Sequence, residues 1–157
     1  MREKKSFTNI KILILSIIVL YTYFCTFRAE PEKVYGLRSK IVELCKSLDG
    51  IPYRYGGDDI DGFDCSGFVY YVYNSFGIEI ARNAKKQGKI KYRVRFKYAR
   101  PGDIVVFKLK RGWHTGIYIN KKYFIHSPKK KEVIRREKFN SYWKGHLKSV
   151  INVIDNL

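Results

Sequence analysis

Acidic residues are scarce in this chain of 157 residues: 14 Asp and Glu stand against 32 Lys and Arg, a formal net charge of +18. Such an excess implies a polyanionic neighbour, whether nucleic acid, an anionic membrane surface or an acidic polymer. Cysteine is scarce as well. Three residues, an odd number, exclude a full disulfide framework and leave at least one thiol free or partnered elsewhere. Four Pro and 12 Gly exclude collagen-like or linker-like character. No Cys-x-x-Cys or His-x-x-x-His spacing occurs, which weakens a zinc reading. Apolar residues (45%) and aromatics (16%) are plentiful, enough for the core of one domain and too many for a disordered chain.

One hydrophobic run is long. Arg2, Lys4, Lys5 and Lys11 precede Ile12 to Phe27, sixteen uncharged residues closed by Arg28. As a helix it would span about 24 Å, short of the roughly 30 Å hydrocarbon core until Ile10 joins it and Lys11 snorkels. A basic flank before an apolar run is the layout of a signal peptide or N-terminal membrane anchor over residues 1–28. The charge bias places the remainder of the chain, after Arg28, outside the cytoplasm. The small residues expected before a cleavage site are absent, and Cys25, a candidate for lipidation, follows Phe24 rather than a small residue. Residues 29–36 (AEPEKVYG) read as a polar linker, and residues 37–157 as one domain.

Within that domain Leu37, Ile41, Leu44, Cys45 and Leu48 recur at helical steps, with Cys45 on the buried face as a small hydrophobe. A Gly- and Asp-rich loop, 51–64, leads into a second helix, Ser66–Phe76, stopped by Gly77. Residues 85–100 hold eight Lys and Arg and no acid, a solvated basic segment first and a binding patch second. After Pro101-Gly102 the period becomes that of strands: Ile104–Leu109, His114–Ile119, Lys122–Ser127, Val133–Arg135 and Ser149–Ile154. Helices followed by antiparallel strands make the class α+β.

The chemistry centres on Cys65. It opens the second helix, where unpaired N–H groups and the helix dipole favour a thiolate and can receive a developing oxyanion. A nucleophile needs a base. His114 and His126 lie on consecutive strands, and a three-residue turn at Asn120-Lys121-Lys122 would put both rings on one sheet face. A two- or four-residue loop would split them. His146, beside Trp143, reads as structural or surface. From the residues alone three readings stay open: Cys/His nucleophilic catalysis, a plain buried cysteine with two incidental histidines, and a zinc site.

The runs Gly50-Ile51-Pro52-Tyr53-Arg54-Tyr55-Gly56-Gly57 and Phe63-Asp64-Cys65-Ser66-Gly67-Phe68-Val69 resemble the signature of the NlpC-type cell-wall cysteine peptidases. Pro101 to Phe107, His114-Thr115-Gly116-Ile117-Tyr118 and Phe124-Ile125-His126-Ser127-Pro128 match in order and spacing, so the resemblance covers about residues 37–154. It implies a papain-like fold, with the nucleophile helix packed on an antiparallel sheet. It also implies a Cys65/His114/His126 triad hydrolysing amide bonds in peptidoglycan stem peptides, often γ-D-glutamyl links to a diamino acid. Tyr53 would help form the oxyanion site, and Asp64 and Ser66 would line the substrate groove, with Asp64 also available as a helix N-cap.

Departures from the pattern bear on substrate preference rather than on the triad: Ile80-Ala81-Arg82 replaces Leu-Pro-Arg, Asn83 and Ala84 come next, and Trp113 precedes His114. The acidic cluster Asp58, Asp59, Asp61 and Asp64 fits a calcium loop poorly, because Gly57 and Phe68 fall where acidic ligands belong. The expected protein is therefore a monomeric cell-envelope peptidase, anchored or exported, that needs no metal or cofactor. Its expected partners are peptidoglycan stem peptides and an anionic wall polymer or membrane surface. Nucleic acid is set aside, since the basic residues are scattered over several segments and the domain is expected outside the cytoplasm. The competing class is a catalytically silent basic module that binds anionic wall polymer.

Overall fold

The computed structural model describes the backbone of residues 3–157 and the side chains of residues 14–22 and 34–157. The chain divides into two compact units, Met1–Gly36 and Leu37–Leu157. Helix α1 covers Glu3–Ser47 and includes residues 29–36, read from the sequence as a linker. Much of the expected signal or anchor segment (its basic flank, the ends of its apolar run and Cys25) lies outside the described side chains. In the first unit Ile14, Leu15 and Ile17 to Tyr21 are exposed. Among the described residues no helix is long and apolar enough to cross a membrane.

The second unit is built on a six-stranded antiparallel sheet. Its strands are β3 (Arg93–Val94), β4 (Ile104–Leu109), β5 (Gly112–Asn120), β6 (Tyr123–His126), β7 (Arg135–Lys138) and β8 (Leu147–Ile151), in the order β3-β8-β4-β5-β6-β7. A small hairpin, β1 (Asp58–Asp59) with β2 (Gly62–Phe63), precedes helix α2 (Cys65–Asn74). Two short helices complete the unit, α3 (Ala84–Gln87) and α4 (Ser141–His146). The arrangement is the α+β class read from the sequence.

Burial on both faces explains why β4 is apolar without alternation: Ile104 to Phe107 are all inaccessible. One face carries Val105, Phe107, Tyr118, Phe124 and Phe139 in a core to which α4 adds Trp143. Trp143 lies 4.8 Å from the Phe107 ring and 5.0 Å from Phe124. Toward the other face pack α2, through Phe68, Val69 and Val72, and α3, where Gly88 leaves room for Val106. The end of α1 contributes Ile41 and Cys45, both fully buried. Beside them Arg38 reaches the Pro101 carbonyl (2.7 Å), Asp103 (2.9 Å), Asn152 (2.8 Å) and Asp155 (2.8 Å), tying helix, β4 and C-terminus together.

Several elements differ from the sequence reading, three of them as follows. The strand expected at Val133–Arg135 begins only at Arg135, because Val133 bridges Pro52 instead. The final strand ends at Ile151 and gives way to a 3-10 turn at Ile154–Asn156. Helix α4 was not expected; its signal was Asn140, whose side chain caps it at the Trp143 N–H.

Candidate active site

The backbone from Phe63 to Ser66 is pinned from three directions. Ser127 donates to the Phe63 carbonyl (2.7 Å), Thr115 to the Cys65 carbonyl (3.4 Å) and Gln87 to the Ser66 carbonyl (3.0 Å). Asp64 caps α2 by accepting from the Gly67 N–H at 2.7 Å. Cys65 and Ser66 thus head the helix, where no earlier helical carbonyl claims their N–H groups. Gly67 is obligatory there: a Cβ would stand 2.0 Å from the Gly57 carbonyl oxygen.

Arg82 completes the cap. It contacts both Asp64 oxygens at 3.0 Å, Asp58 at 3.0 Å, the Ser66 hydroxyl at 3.1 Å and the Gly57 carbonyl at 2.9 Å. Burial alone would raise the Asp64 carboxyl, but Arg82, the Gly67 N–H and Ser66 hold it below the ordinary value. Asp64 is therefore a firmly ionised cap whose charge lies at the mouth of the helix. The sequence reading placed Arg82 in the Ile80-Ala81-Arg82 segment that stands where the family pattern has Leu-Pro-Arg, but gave it no role.

The histidines do share a face, but by a route the sequence did not show. The turn between β5 and β6 has two residues, Lys121 and Lys122, not three. Alone it would have split the rings. An irregularity between Tyr118 and Asn120 shifts the register, so that Tyr118 pairs with Phe124 and Ile117 with Ile125. The extra residue restores the parity that puts His114 and His126 on one side. Gly116 lies between them, and a Cβ there would meet the Ile125 carbonyl oxygen at 2.6 Å and His126 Cβ at 3.0 Å.

His114 Nε2 and His126 Nδ1 are 2.6 Å apart, within hydrogen-bond distance, their rings nearly perpendicular. Trp143 packs on both, at 5.7 Å and 5.2 Å between ring centres. Burial is nearly complete, with His114 6% and His126 0% exposed. Desolvation lowers His114 to about 4, partly offset by the Asp64 charge. It lowers His126 as well, with His114 and Arg135 adding to the effect. Burial also raises the Cys65 thiol, together with Asp64, against the Thr115 and Ser66 groups that favour the thiolate. Burial thus works against charge on both the thiol and the imidazoles. Among the described residues no hydrogen bond joins the Cys65 thiol to His114, whose Nδ1 is left free by the Nε2 contact to His126.

All six residues singled out in the sequence (Tyr53, Asp64, Cys65, Ser66, His114 and His126) line one cleft of about 1590 Å³. Tyr53 reaches it because its N–H bonds the Glu132 carbonyl at 2.8 Å. Its hydroxyl is pushed up by burial and by the Cys65, Asp64 and Tyr55 charges, so it stays a hydrogen-bond donor. His146 borders the cleft too, but its Nδ1 is spent on the Tyr142 carbonyl at 2.8 Å. Trp143 and Arg135 line the cleft and were not foreseen. Among the described residues no group of three or more His, Cys, Asp or Glu is placed to hold a metal ion.

A cysteine at the head of a helix, a buried imidazole pair on an antiparallel sheet and helix N–H groups facing one cleft define a papain-like thiol-site architecture. The NlpC/P60 family profile matches residues 50–152, and the chain belongs to that family. It is 39% identical over 102 residues to the probable endopeptidase NlpC of Escherichia coli, covering 62% of this chain and 66% of that protein. With the gamma-DL-glutamyl hydrolase of Bacillus subtilis it shares 34% over 143 residues, 86% of this chain and 34% of the other. The crystallised NlpC/p60 domain of the peptidoglycan hydrolase SagA superposes with a TM-score of 0.65 at 26% identity, covering 73% of this chain and 97% of that domain. The chain thus spans about one third to two thirds of the length of these two curated relatives.

Proposed function

We propose that this protein is a cysteine peptidase of the bacterial cell envelope that hydrolyses amide bonds in peptidoglycan stem peptides, of the γ-D-glutamyl–diamino acid type. The observation that carries the reading is the 2.6 Å imidazole pair in the cleft that also holds Cys65. The names of the relatives, an endopeptidase and a gamma-glutamyl hydrolase, support the same chemistry.

In this mechanism His114 Nδ1 takes the thiol proton as Sγ attacks the scissile carbonyl, and the N–H groups of Cys65 and Ser66 with the Tyr53 hydroxyl receive the oxyanion. Collapse of the tetrahedral adduct passes the proton from His114 to the departing amine, leaving an acyl-enzyme. Water then gives its proton to His114, attacks the thioester, and returns the carboxylate and the free thiol. His126 orients His114 throughout. Neither step needs a metal or cofactor, and a monomer contains every group named.

Digestion of muropeptides followed by mass spectrometry is the test. Cys65→Ser and His114→Ala should each abolish cleavage, and His126→Ala should leave residual activity. A Cys65→Ser protein that cleaves as fast as the parent would replace this reading with the silent binding module.

The basic segment supports a docking role beside catalysis. Of its eight cations only Arg100 has an ion-pair partner among the described residues, Asp155 at 2.7 Å. The remaining charge is free to meet anionic wall polymer or lipid head groups outside the membrane, where the 1–28 segment would hold the domain as an anchor or from which it would be released. Screening acts over about 10 Å at 0.1 M salt, so cleavage of intact sacculi should fall steeply with salt while cleavage of a short stem peptide should not. Equal salt dependence on the two substrates would remove this role.

A further inference from the structure

The active-site relay has an open end. His126 Nε2 is buried and has no hydrogen-bond partner, one of three such side-chain atoms in the described part of the protein. A buried, unsatisfied N–H forfeits its bond to water with nothing in return and calls for an explanation. The group nearest in kind is the Glu137 carboxylate, whose Oε2 stands 4.0 Å from that nitrogen. Glu137 reaches it from β7, the edge strand, and its carboxylate is held meanwhile by Arg135 at 3.1 Å.

The tautomers make the position of this carboxylate consequential. His114 can accept the thiol proton on Nδ1 only if Nε2 already carries a hydrogen, and that hydrogen points at His126 Nδ1. His126 Nδ1 must then be the acceptor, which places the hydrogen of His126 on Nε2. The orphaned atom is therefore a donor, and a carboxylate oxygen stands 4.0 Å from it. We propose that Glu137 is a positioning residue, accepting the His126 Nε2–H to fix the tautomer of the histidine pair and to offset the positive charge that His114 acquires when it takes the proton from Cys65. No bond to substrate is involved. The proposal rests on the Cys65/His114/His126 reading above.

Charges face the pair from every packed element. His114 on β5 and Arg135 on β7 oppose protonation of His126. Asp64 at the head of α2 favours protonation of His114. Glu132, in the loop before β7, is bonded to Arg135 and draws its charge outward. From α4 the neighbour is the uncharged Trp143. Arg135 and Glu137 are thus opposed controls on one imidazole, and substitutions at the two should move the site in opposite directions.

The experiment uses the full chain, a short stem peptide, and three variants: Glu137→Ala, Glu137→Gln and Arg135→Gln. Glu137→Ala should lower kcat about tenfold with KM within twofold, since the histidine pair would lose part of its fixed geometry while substrate contacts stay unchanged. Glu137→Gln keeps an acceptor oxygen and should recover part of that loss. Because it lacks the charge, the acid limb of its kcat/KM profile should move down by about one pH unit, whereas Arg135→Gln should move it up. In parallel, ring-nitrogen NMR should show His126 protonated on Nε2 in the parent and a mixture of tautomers in Glu137→Ala. A loss of kcat with the limb unmoved, a shift of the same sign for the Glu137→Gln and Arg135→Gln variants, or unchanged His126 ring signals would each overturn the assignment. Should the parent cleave no stem peptide, the peptidase reading fails and the ring signals still decide the role of Glu137.

Discussion

Gly116→Ala tests whether the spacing of the two histidines is what makes the site work. The added Cβ would stand 2.6 Å from the Ile125 carbonyl oxygen, and an ordinary contact begins near 3.4 Å. The neighbour is backbone, so relief requires β5 and β6 to part by about 0.8 Å, since no flexible side chain can yield there. His126 directly follows Ile125 and lies 3.0 Å from the same added carbon, so it moves with the strand. A 2.6 Å contact opened by that much is no longer a strong hydrogen bond. Misplacement of a catalytic group by about 1 Å costs on the order of 100-fold in rate. The overpacking itself should cost about 1–3 kcal/mol of stability. Steady-state cleavage of a stem peptide should therefore show kcat reduced about 100-fold, while urea denaturation shows a protein that is weakened but folded. Gly145→Ala is the control, since nothing stands within 4 Å of its Cβ and its backbone is helical. If Gly116→Ala keeps more than half the parent kcat, the histidine spacing does not control the chemistry and the reasoning fails.

Two further outcomes arise from buried charge. His114 is lowered from 6.5 to about 4 by burial, so the unfolded chain binds its proton first as the pH falls; stability from this site is complete above 6.5 and is lost progressively toward 4. Chemical denaturation between those pH values should show a decline that is smaller by about 3 kcal/mol in His114→Gln, the remainder belonging to His126, which burial lowers too; an unchanged decline would refute the assignment. Arg38→Met would strand Asp103, fully buried, without its ion pair and should lower stability by about 3–5 kcal/mol. Adding Asp103→Asn should recover part of it; a single variant as stable as the parent in thermal melts would count against the network.

Position in the chain explains what could be read early. Cys65 announces itself because a helix start is a local event: Asp64 caps, Phe68, Val69 and Val72 repeat at helical steps, and the free N–H groups result from chain geometry alone. Strand β4 was legible to the residue, as a run apolar enough to be buried on both faces between a proline-glycine turn and a charged hairpin end. The helix from Leu37 could be seen in its spacing, whereas the helical backbone at 29–36 could not, because polar residues with a proline read locally as a break.

Pairing was another matter. That His114 and His126 belong together could be inferred from their parity, yet the inference assumed a longer turn, and only the register shift near Ile119 makes it true. A bulge is a property of two strands, and one strand does not display it. The same holds for Arg82, which is a surface cation by composition and becomes the clamp on Asp64 only when the loop after α2 folds back. Trp143 and Glu137 reach the histidine pair from α4 and β7, separated from His126 by eleven residues or more along the chain. The amino-acid sequence by itself determined the candidate nucleophile, its helix and the presence of two candidate imidazoles, because short-range hydrogen bonding and periodicity act within a few residues. Tertiary structure alone decided the imidazole contact, the ionised cap and the desolvation that works against charge on the thiol and imidazoles, because these depend on distances and burial that exist only after distant segments pack.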